Sequence, residues 1–500
     1  METGARRPVA TKSPGVASLA LAVSGFVALV HEVTWTRVLV LVLGPTSVAF
    51  SAMLVAFIGG LAIGSALGAR LARATTRPLF WLAIALGVVA AGGGEVSLAL
   101  NHLPMRVAEA TIAEGATLGS VVLSNAGLAA LLLLPLTASL GAAFPLGLAA
   151  ATGSVDGAPR EAGTVYAANT TAAIAGSLLS GFVFIERLGL RGTVLLAAAV
   201  AAAGAVAVTV AGLRGLRPRV AGIALAAGAF AFVALGPRWD VELLAGGAYK
   251  YAPFVAGLDL ESALKAGELL FHEDGAAGTV TVRRTAGTTT MAIDGKIDAS
   301  NGGDMLTQKL LGHLPLLLHD SPSDVCVIGL GSGVTAGAVL QHPLSSVDLL
   351  EISPAVVKAS DFFLTENRGT LYDQRTRLVV GDGRTHLALT SRAYDLVISE
   401  PSNPWMSGMA GLFTREFFET VQRRLRPGGL FCQWAHAYDM SDADLRSIVA
   451  TFVGVFPHAT LWLSGESDVL LVGGDHSLED RLASLASRLS RPRVAEDLAS

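Results

Sequence analysis

A glycine-rich stretch in the second half of the sequence has the residue types of a ligand-binding loop. It reads Gly329-Leu330-Gly331-Ser332-Gly333 and follows a short apolar run. Glycine lets the backbone turn sharply and approach a ligand that a side chain would exclude. The next apolar run ends in Glu351, whose carboxylate is suited to accept hydrogen bonds from both ribose hydroxyls of a nucleotide. The two features together predict a nucleotide site.

A third apolar run ends in Gly381-Asp382-Gly383, an acid between two glycines. Asp382 is suited to accept a hydrogen bond from the exocyclic amine of adenine, while the backbone at Gly383 lies against the ring. The sequence lacks a second glycine-rich loop that would hold a pyrophosphate. We therefore expect an adenosyl group of the S-adenosylmethionine type rather than NAD.

The loop after a fourth apolar run carries the residues best suited to catalysis. Residues 399–405 read Ser-Glu-Pro-Ser-Asn-Pro-Trp, an acid, an amide and an indole in a loop that two prolines stiffen. Transfer of an alkyl group from a sulfonium needs a neutral amine aligned with the carbon and an acceptor for the proton that the amine loses. Glu400 is predicted to be that acceptor.

These loops need a sheet that brings the ends of several strands to one edge. Short strand and helix patterns alternate along residues 321–500, which predicts an α/β, Rossmann-like methyltransferase fold with a doubly wound, mostly parallel sheet. In such sheets, ligands bind at the carboxyl ends of the strands. Residues 268–320 are expected to form a small antiparallel β subdomain followed by one helix.

The first half of the chain has the composition of a membrane domain. The mean hydropathy of the whole chain is +0.56, with 52% hydrophobic and 15% charged residues. Apolar stretches of about 20 residues or more predict an N-terminal α-helical transmembrane bundle at 16–236 with about seven helices. The first is expected to be a retained helix rather than a cleaved signal peptide. Residues 1–15 are predicted to be a cytoplasmic tail and residues 237–267 a linker.

Arginines concentrate in the tail and in the loops 70–77 and 214–219, which predicts that these three segments are cytoplasmic. Seven crossings would then place the soluble half outside the cell, whereas the supply of adenosyl sulfonium nucleotides favours the cytoplasm. The sequence leaves this parity open. His31, Glu32 and Arg37 fall near membrane depth and predict an interhelical polar clamp or, alternatively, a proton or solute path.

The overall charge bears on partners. The net charge is −4, and no basic groove interleaved with aromatic residues is evident, so we expect no nucleic-acid partner. The expected partners are a small-molecule amine, the lipid bilayer and, as a further option, a second copy of the chain. Cys326 and Cys432 lack the spacing of zinc ligands, and no metal site is predicted.

These residues resemble the polyamine aminopropyltransferases, or spermidine synthases, specifically their membrane-fused bacterial branch. The resemblance implies a multi-pass location in a bacterial plasma membrane and decarboxylated S-adenosylmethionine as co-substrate, without a tightly bound cofactor. It implies that Glu400 is the catalytic residue and that an amine such as putrescine is the acceptor. The implied nucleotide-binding residues are Gln308, Gly329, Gly331, Ser332, Gly333, Glu351, Asp382 and Gly383. The implied acceptor site consists of Thr307, Asn403, Trp405 and Gln433.

Three replacements distinguish this chain from the soluble members of that family. Ser332 stands where they have an aspartate that meets the donor amine, Asn403 where they have an acceptor-binding aspartate, and Thr307 where they have a tyrosine. Ser332 would suit intact S-adenosylmethionine, whose carboxylate an aspartate would repel. Two alternatives therefore stand beside the aminopropyltransferase: an S-adenosylmethionine-dependent methyltransferase, and a non-catalytic nucleoside-binding membrane transporter or sensor.

Overall fold

The computed structural model describes residues 13–152, 159–465, 467–483 and 485–499. The chain divides into two compact units, residues 1–265 and 266–500. The arginines and lysine of the predicted tail, Arg6, Arg7 and Lys12, lie outside the described residues.

The first unit is helical. Its long helices are α1 (Pro14–Leu43), α2 (Ser47–Ala74), α3 (Pro78–Leu100), α5 (Leu118–Thr152), α6 (Pro159–Leu179), α7 (Ile185–Gly212) and α8 (Leu216–Ala234), with the short α4 (Leu103–Ile112) between α3 and α5. A π-helical turn, Ser180–Phe184, joins α6 to α7. Six of the described helical segments are long and apolar enough to cross a membrane, with residues 159–212 counted as one.

The segment 159–212 changes direction at Gly189, whose φ of 69° and ψ of 176° break the helix. On one side of this kink, Ser180 lies 3.3 Å from Thr34 of α1, and a Cβ at Gly25 would lie 2.3 Å from the Asn169 carbonyl oxygen. Beyond the kink, a Cβ at Gly204 would lie 2.7 Å from Val23. α6 therefore runs parallel to α1 and α7 antiparallel to it.

Close packing in this unit depends on small residues. A Cβ at Gly64 of α2 would lie 1.9 Å from the Ala138 carbonyl oxygen of α5, and one at Gly68 would lie 2.6 Å from Ala142. Such contacts let helix backbones approach where lipid gives no hydrophobic drive for association. His31 is fully buried, and neither of its ring nitrogens has a hydrogen-bond partner within the described residues, so the expected clamp is not formed through His31.

Residues 237–267, predicted to be a linker, carry short helices: α9 (Val241–Leu244), α10 (Ala248–Tyr251), a 3₁₀ turn (Ala252–Val255) and α11 (Leu260–Leu264). Their apolar side chains pack with Ala108 of α4 in a small core. Asn101, at the end of α3, hydrogen-bonds the backbone on both sides of Trp239. Tertiary contact with α3 and α4 fixes a segment that its composition alone did not mark as folded.

The second unit begins with a four-stranded antiparallel sheet in the order β1-β2-β3-β4, as predicted for residues 268–320. Its strands are β1 (Glu268–Asp274), β2 (Thr279–Thr285), β3 (Thr288–Ile293) and β4 (Lys296–Ser300), and the helix α12 (Met305–Leu318) follows them. Eleven of the fourteen residues of α12 are buried. The helix therefore belongs to the core of the unit.

A seven-stranded sheet forms the rest of this unit, in the order β10-β11-β9-β8-β5-β6-β7. The strands are β5 (Asp324–Ile328), β6 (Ser346–Glu351), β7 (Thr376–Val380), β8 (Tyr394–Ser399), β9 (Leu425–His436), β10 (Thr460–Ser464) and β11 (Asp468–Gly474). The five strands from β5 to β9 are parallel, whereas β10 and β11 form an antiparallel hairpin beside β9. The sheet is mostly parallel, as predicted, but the sequence reasoning missed the hairpin.

Helices connect the strands and cover two separate apolar cores, which lie on the two faces of the sheet. They are α13 (Val334–Val339), α14 (Pro354–Ala359), α15 (Gly383–Leu389), α16 (Arg415–Arg424), α17 (Asp442–Val453), α18 (Glu479–Ala483), α19 (Leu485–Leu489) and α20 (Pro492–Ala499).

Candidate active site

The parallel strands are in a register that brings the predicted loops to one edge of the sheet. Ile328 at the end of β5 pairs with Ser399 at the end of β8, and Ser399 pairs with Gln433 of β9. On the other side, Glu351 at the end of β6 pairs with Val380 at the end of β7. The glycine loop, Glu351, the 381–383 loop and Glu400 therefore follow neighbouring strand ends.

The glycine loop has a backbone that only glycine adopts readily. Gly329, Gly331 and Gly333 have φ values of 95°, 51° and 85°. A Cβ at Gly329 would lie 2.3 Å from the carbonyl oxygen of Glu400. Gly329 is thus needed both for the turn and for the close approach of the loop after β8.

Glu351 connects two loops of the site. Its Oε2 accepts a hydrogen bond from the Leu330 backbone amide at 3.0 Å, and its Oε1 accepts one from the Ser353 amide at 2.8 Å. Burial raises the pKa of this carboxyl, although these amides oppose the shift. Each oxygen has a further lone pair, so the contacts are compatible with the predicted binding of ribose hydroxyls.

Gln308 and Ser332 contact each other beneath the glycine loop. The Ser332 hydroxyl donates to Gln308 Oε1, and Gln308 Nε2 donates to the Ser300 carbonyl and to Asp304 Oδ2, each at 3.0 Å. Both side chains are almost completely buried. The hydrogen bonds of these two side chains therefore hold the glycine loop against α12. Ser332 stands where the soluble members of the resembling family have an aspartate, and its hydroxyl is buried.

Asp382 caps the helix that follows it. Its carboxylate accepts hydrogen bonds from the backbone amides of Arg384 and Thr385 and from the Thr385 hydroxyl. The side chain is exposed, whereas Gly383 is buried against Ile328. The cap fixes the direction of the carboxylate at the strand edge, and its contact with adenine stays a prediction.

Glu400 has a strongly perturbed acidity. Its backbone amide donates to the Ile328 carbonyl at 2.8 Å, which anchors it next to the glycine loop. Burial raises the pKa of its carboxyl to about 8, a hydrogen bond with Thr335 opposes the shift, and the charges of Asp304 and Asp468 add to it. A carboxyl with a pKa near neutrality is suited to receive and release a proton.

Asp468 is brought to the site by the β10-β11 hairpin. Its Oδ2 accepts a hydrogen bond from the Thr307 hydroxyl at 2.7 Å, and its Oδ1 accepts one from Trp434 Nε1 at 3.2 Å. Thr307 therefore holds a carboxylate that the hairpin supplies. The contact of Thr307 with an acceptor amine stays a prediction.

Asn403 lies in the loop after Glu400 and is fully buried. Its Nδ2 lies 2.8 Å from His436 Nε2, and its side chain also bonds Tyr438, whose pKa burial raises to about 12. Asn403 Oδ1 and Gln433 Oε1 are buried and have no hydrogen-bond partner within the described residues. Trp405, in the same loop, is partly buried.

Asp298 of β4 is a second carboxylate that sequence reasoning missed. Its Oδ1 accepts hydrogen bonds from Lys296 Nζ at 2.8 Å and from the Ser402 hydroxyl at 2.5 Å, which joins β4 to the loop that contains Glu400. The other oxygen, Oδ2, is buried without a partner in the described structure. The negative charges of Asp298 and Asp468 both act on Tyr438.

The residues near Glu400 and Asn403 that sequence reasoning missed are Asp298, Asp304, Asp468, His436 and Tyr438. In the sequence, Asp304 stands at the start of a helical pattern and Asp468 at the start of an apolar run, and neither position marks a site. No motif connects them with Glu400, because they come from separate elements. Within the described residues, no group of three or more His, Cys, Asp or Glu side chains has the arrangement of a metal site.

Comparison with known families agrees with this geometry. Residues 304–464 match the family model described as the spermine/spermidine synthase domain. The chain carries a spermine/spermidine synthase domain. This synthase domain contains Gln308, the glycine loop, Glu351, Asp382 and Glu400, whereas Asp298 and Asp468 fall just outside the match.

Individual relatives match only part of this chain. The chain is 34% identical over 152 residues to a spermidine synthase of Dictyostelium discoideum, a match that covers 29% of this chain and 53% of the relative. It is 33% identical over 168 residues to putrescine N-methyltransferase 2 of Nicotiana tabacum, which covers 33% and 47%. The chain thus spans about half the length of these relatives. A spermidine synthase solved in complex with the transition state analogue AdoDATO aligns with 46% of this chain and 88% of its own, at a TM-score of 0.41 and 17% identity.

Proposed function

We propose that the protein is a membrane-anchored transferase that moves an aminopropyl group from decarboxylated S-adenosylmethionine to an amine such as putrescine. The observation that carries this proposal is Glu400, partly accessible at the strand edge and close to Asp304 and Asp468, with a pKa raised to about 8. It lies beside a glycine loop and Glu351, which suit a nucleoside.

The charge of the site supports cationic substrates. Within the described residues, the side-chain hydrogen-bond partners of Asp304, Glu400 and Asp468 are neutral groups: Ser300, Gln308, Thr335, Thr307 and Trp434. Carboxylates placed together without a cation repel one another, and a bound ammonium or sulfonium relieves that repulsion. Asp304, which precedes α12, and Asp468 of β11 therefore compensate for the aspartates that Ser332 and Asn403 replace.

In the proposed reaction, the acceptor nitrogen attacks the aminopropyl carbon next to the sulfonium. The carbon–sulfur bond breaks, a carbon–nitrogen bond forms, and methylthioadenosine leaves with the electron pair of the broken bond. The nitrogen loses one proton, which Glu400 accepts. The raised pKa makes the carboxylate a stronger base than an ordinary glutamate.

A methyltransferase is the second candidate. The 33% identity to putrescine N-methyltransferase 2 is close to the 34% identity to spermidine synthase. The same pocket would then hold intact S-adenosylmethionine, and S-adenosylhomocysteine would be the product. The third candidate, a nucleoside-binding transporter or sensor without turnover, is disfavoured by the intact Glu400 loop.

Product analysis separates these candidates. Detergent-solubilised full-length protein is incubated with putrescine and with each donor in turn, and the nucleoside product is identified by mass spectrometry. Methylthioadenosine and spermidine from the decarboxylated donor are expected. S-adenosylhomocysteine from the intact donor would establish the methyltransferase instead. Binding of either donor by calorimetry without any product across several amines would favour the non-catalytic reading.

We also propose that the first unit spans a bacterial plasma membrane. Large apolar side chains are exposed on its helices, such as Leu123, Val55 and Phe182, which are 75%, 71% and 71% exposed. Lipid is the solvent that such a surface fits. The bilayer is therefore the expected partner of this unit.

The ends of α3 support an orientation. Arg77 precedes α3, and Gly212 in front of the 214–219 loop packs against Leu79, so both arginine-rich loops lie at this end. Asn101 at the other end contacts Asp240, where the chain leaves the bundle. If arginine-rich loops stay in the cytoplasm, residues after Lys265 emerge on the outer side. The donor would then have to reach that side.

A further inference from the structure

The amide of Asn403 has different surroundings at its two ends. Its Nδ2 lies 2.8 Å from His436 Nε2, whereas its Oδ1 has no hydrogen-bond partner within the described residues. Both side chains are fully buried. A buried carbonyl oxygen without a hydrogen-bond partner costs free energy. Its presence here indicates that Oδ1 accepts a hydrogen bond from a bound ligand.

The contacts of His436 determine which end of the amide faces it. His436 Nδ1 lies 2.7 Å from the Tyr438 carbonyl oxygen. A carbonyl oxygen only accepts, so Nδ1 carries the hydrogen. In the neutral ring, Nε2 is then an acceptor and requires a donor, which is the NH₂ group of Asn403. A rotated amide would place its oxygen against the lone pair of Nε2.

The imidazole itself has little freedom to move. Its ring lies 5.4 Å from the Trp434 ring and 4.3 Å from the Tyr438 ring. His436 is also the residue of β9 that pairs with Asp468 of β11. The strand that supplies the carboxylate of the site therefore also positions the ring that orients the amide.

We propose that His436 is a positioning residue, which turns the Asn403 amide so that Oδ1 accepts a hydrogen bond from the acceptor nitrogen. The inference rests on the proposed function, because it concerns an amine that reacts beside Glu400. A carboxylate at this position would stabilise the ammonium form, whereas an amide oxygen does so much less. The site thus holds a neutral primary amine, with one N–H donated to Asn403 Oδ1, another to Glu400, and the lone pair left for the carbon.

Two variants of His436 test this role by kinetics. His436→Gln keeps a hydrogen-bonding group near the Nε2 position, whereas His436→Asn keeps only the one near Nδ1. Loss of one hydrogen bond predicts that His436→Asn raises the KM for the amine about tenfold and that His436→Gln raises it less than about threefold. The affinity for the nucleotide, measured by calorimetry, should change less than about twofold in both. Equal losses in the two variants, or an equal loss of nucleotide affinity, would overturn the proposal.

Nitrogen NMR tests the orientation without any turnover. Full-length protein labelled with ¹⁵N-histidine is compared with His436→Gln to assign the signal. We expect a neutral ring protonated at Nδ1 near neutral pH, and in Asn403→Asp a doubly protonated ring, because Nε2 then faces a carboxylate. A ring protonated at Nε2 in the parent protein overturns the inference even if amines react. An Nδ1 tautomer in a protein without amine turnover would instead contradict the proposed function and leave the orientation standing.

Discussion

The surroundings of Glu400, and with them its pKa, depend on residues from distant segments rather than on its own sequence motif. Asp304 is the N-cap of α12, Asp468 belongs to β11, and Glu400 lies in the loop after β8; these three carboxyl groups interact electrostatically at one edge of the sheet. Thr307 and Trp434 hold Asp468, and Glu351 holds the glycine loop. At the scale of residues, the site consists of acidic side chains beside a glycine loop, and we propose that it binds a cation and a nucleoside.

Replacement of Glu400 by glutamine keeps its shape and removes the proton acceptor. We expect turnover to fall by about 10²- to 10⁴-fold, the usual contribution of a general base. The measurement is the rate of methylthioadenosine formation at saturating donor and amine. Glu416→Gln, an exposed acid in the first turn of α16, is the matched control and should keep the parent rate. Turnover of the Glu400 variant within about threefold of the parent would exclude the role of base.

The raised pKa of Glu400 predicts a particular pH dependence. As a base it must be deprotonated, so kcat/KM should rise with pH through an inflection near the pKa of about 8 in the free enzyme. The inflection of kcat should lie at lower pH, because bound cations favour the carboxylate. Rates from pH 5.5 to 9.5 at low and saturating substrate give both profiles. Identical inflections for kcat and kcat/KM would contradict the electrostatic argument.

The sign for stability is opposite to that for activity. A carboxyl whose pKa is raised in the folded state binds its proton more tightly there than in the unfolded chain. The free energy of unfolding should therefore fall as pH rises from the ordinary value of 4.5 towards about 8. In Glu400→Gln that part of the pH dependence should disappear.

At the scale of elements, loops and short helices are held by a few close contacts. The glycine loop touches the loop after β8 through Gly329. The C-terminal helix α20 is held by Asp497, which is bonded to His313 at 2.9 Å and to Arg368 at 2.7 Å. His342 lies 2.9 Å from the other nitrogen of His313. Single substitutions at these contacts should have large effects.

Gly329→Ala should disrupt both the turn and the approach to Glu400. The new Cβ would lie 2.3 Å from a backbone oxygen, at a φ of 95°. The expected loss of stability is about 1–3 kcal/mol, with nucleotide affinity reduced as the loop shifts. Thermal unfolding and donor calorimetry measure the two effects. Gly303→Ala, where no atom lies within 4 Å of the added Cβ, is the control. Equal behaviour of the two variants would contradict the packing argument.

Asp497→Asn should release α20. Burial alone would raise the pKa of Asp497, but hydrogen bonds from His313 and Arg368 outweigh it and lower the pKa, so the carboxylate stabilises the fold above its ordinary pKa and loses that effect as pH falls. Removal of one partner of a buried pair typically costs about 3 kcal/mol. The melting temperature at pH 7.5 is the measurement. Glu496→Gln, on the exposed face of α20, should leave it unchanged.

At the scale of the whole molecule, the chain consists of a helical unit, residues 1–265, and a second unit, residues 266–500. We call the second the synthase unit, because it contains the region that matches the synthase domain. The reversal at Gly189 makes the number of long segments odd, so the chain enters and leaves the helical unit at opposite ends. If the helical unit spans a bilayer, as we propose, it confines the second unit to one side of that bilayer.

Reporter fusions test the orientation. A reporter active only outside the cytoplasm is fused after residue 265, and a matched fusion is placed after residue 213, between α7 and α8. Opposite outcomes are expected, with activity only for the fusion after residue 265, because arginine-rich loops stay inside. Activity on the same side for both fusions would mean that α8 does not cross, and a reversed pattern would place the synthase unit in the cytoplasm.

The sequence by itself determined the helical first half and the mostly parallel sheet. It also determined that residues 329–333, 351, 382 and 400 lie at neighbouring strand ends of that sheet. Each of these depends on a local signal: apolar length, the alternation of strands and helices, or a glycine or acid directly after a strand. Parallel strands place such residues at one edge whatever the details of packing.

Only the tertiary structure decided what surrounds Glu400. Asp468 and His436 come to the site because an antiparallel hairpin adds to the sheet beside β9 and pairs these two residues. The tertiary structure also places the hydroxyl of Ser332, which the sequence offers as a ligand for the donor, in a hydrogen bond to Gln308. Strand order, register and the direction of a side chain depend on contacts between distant segments, and a short sequence pattern does not encode them.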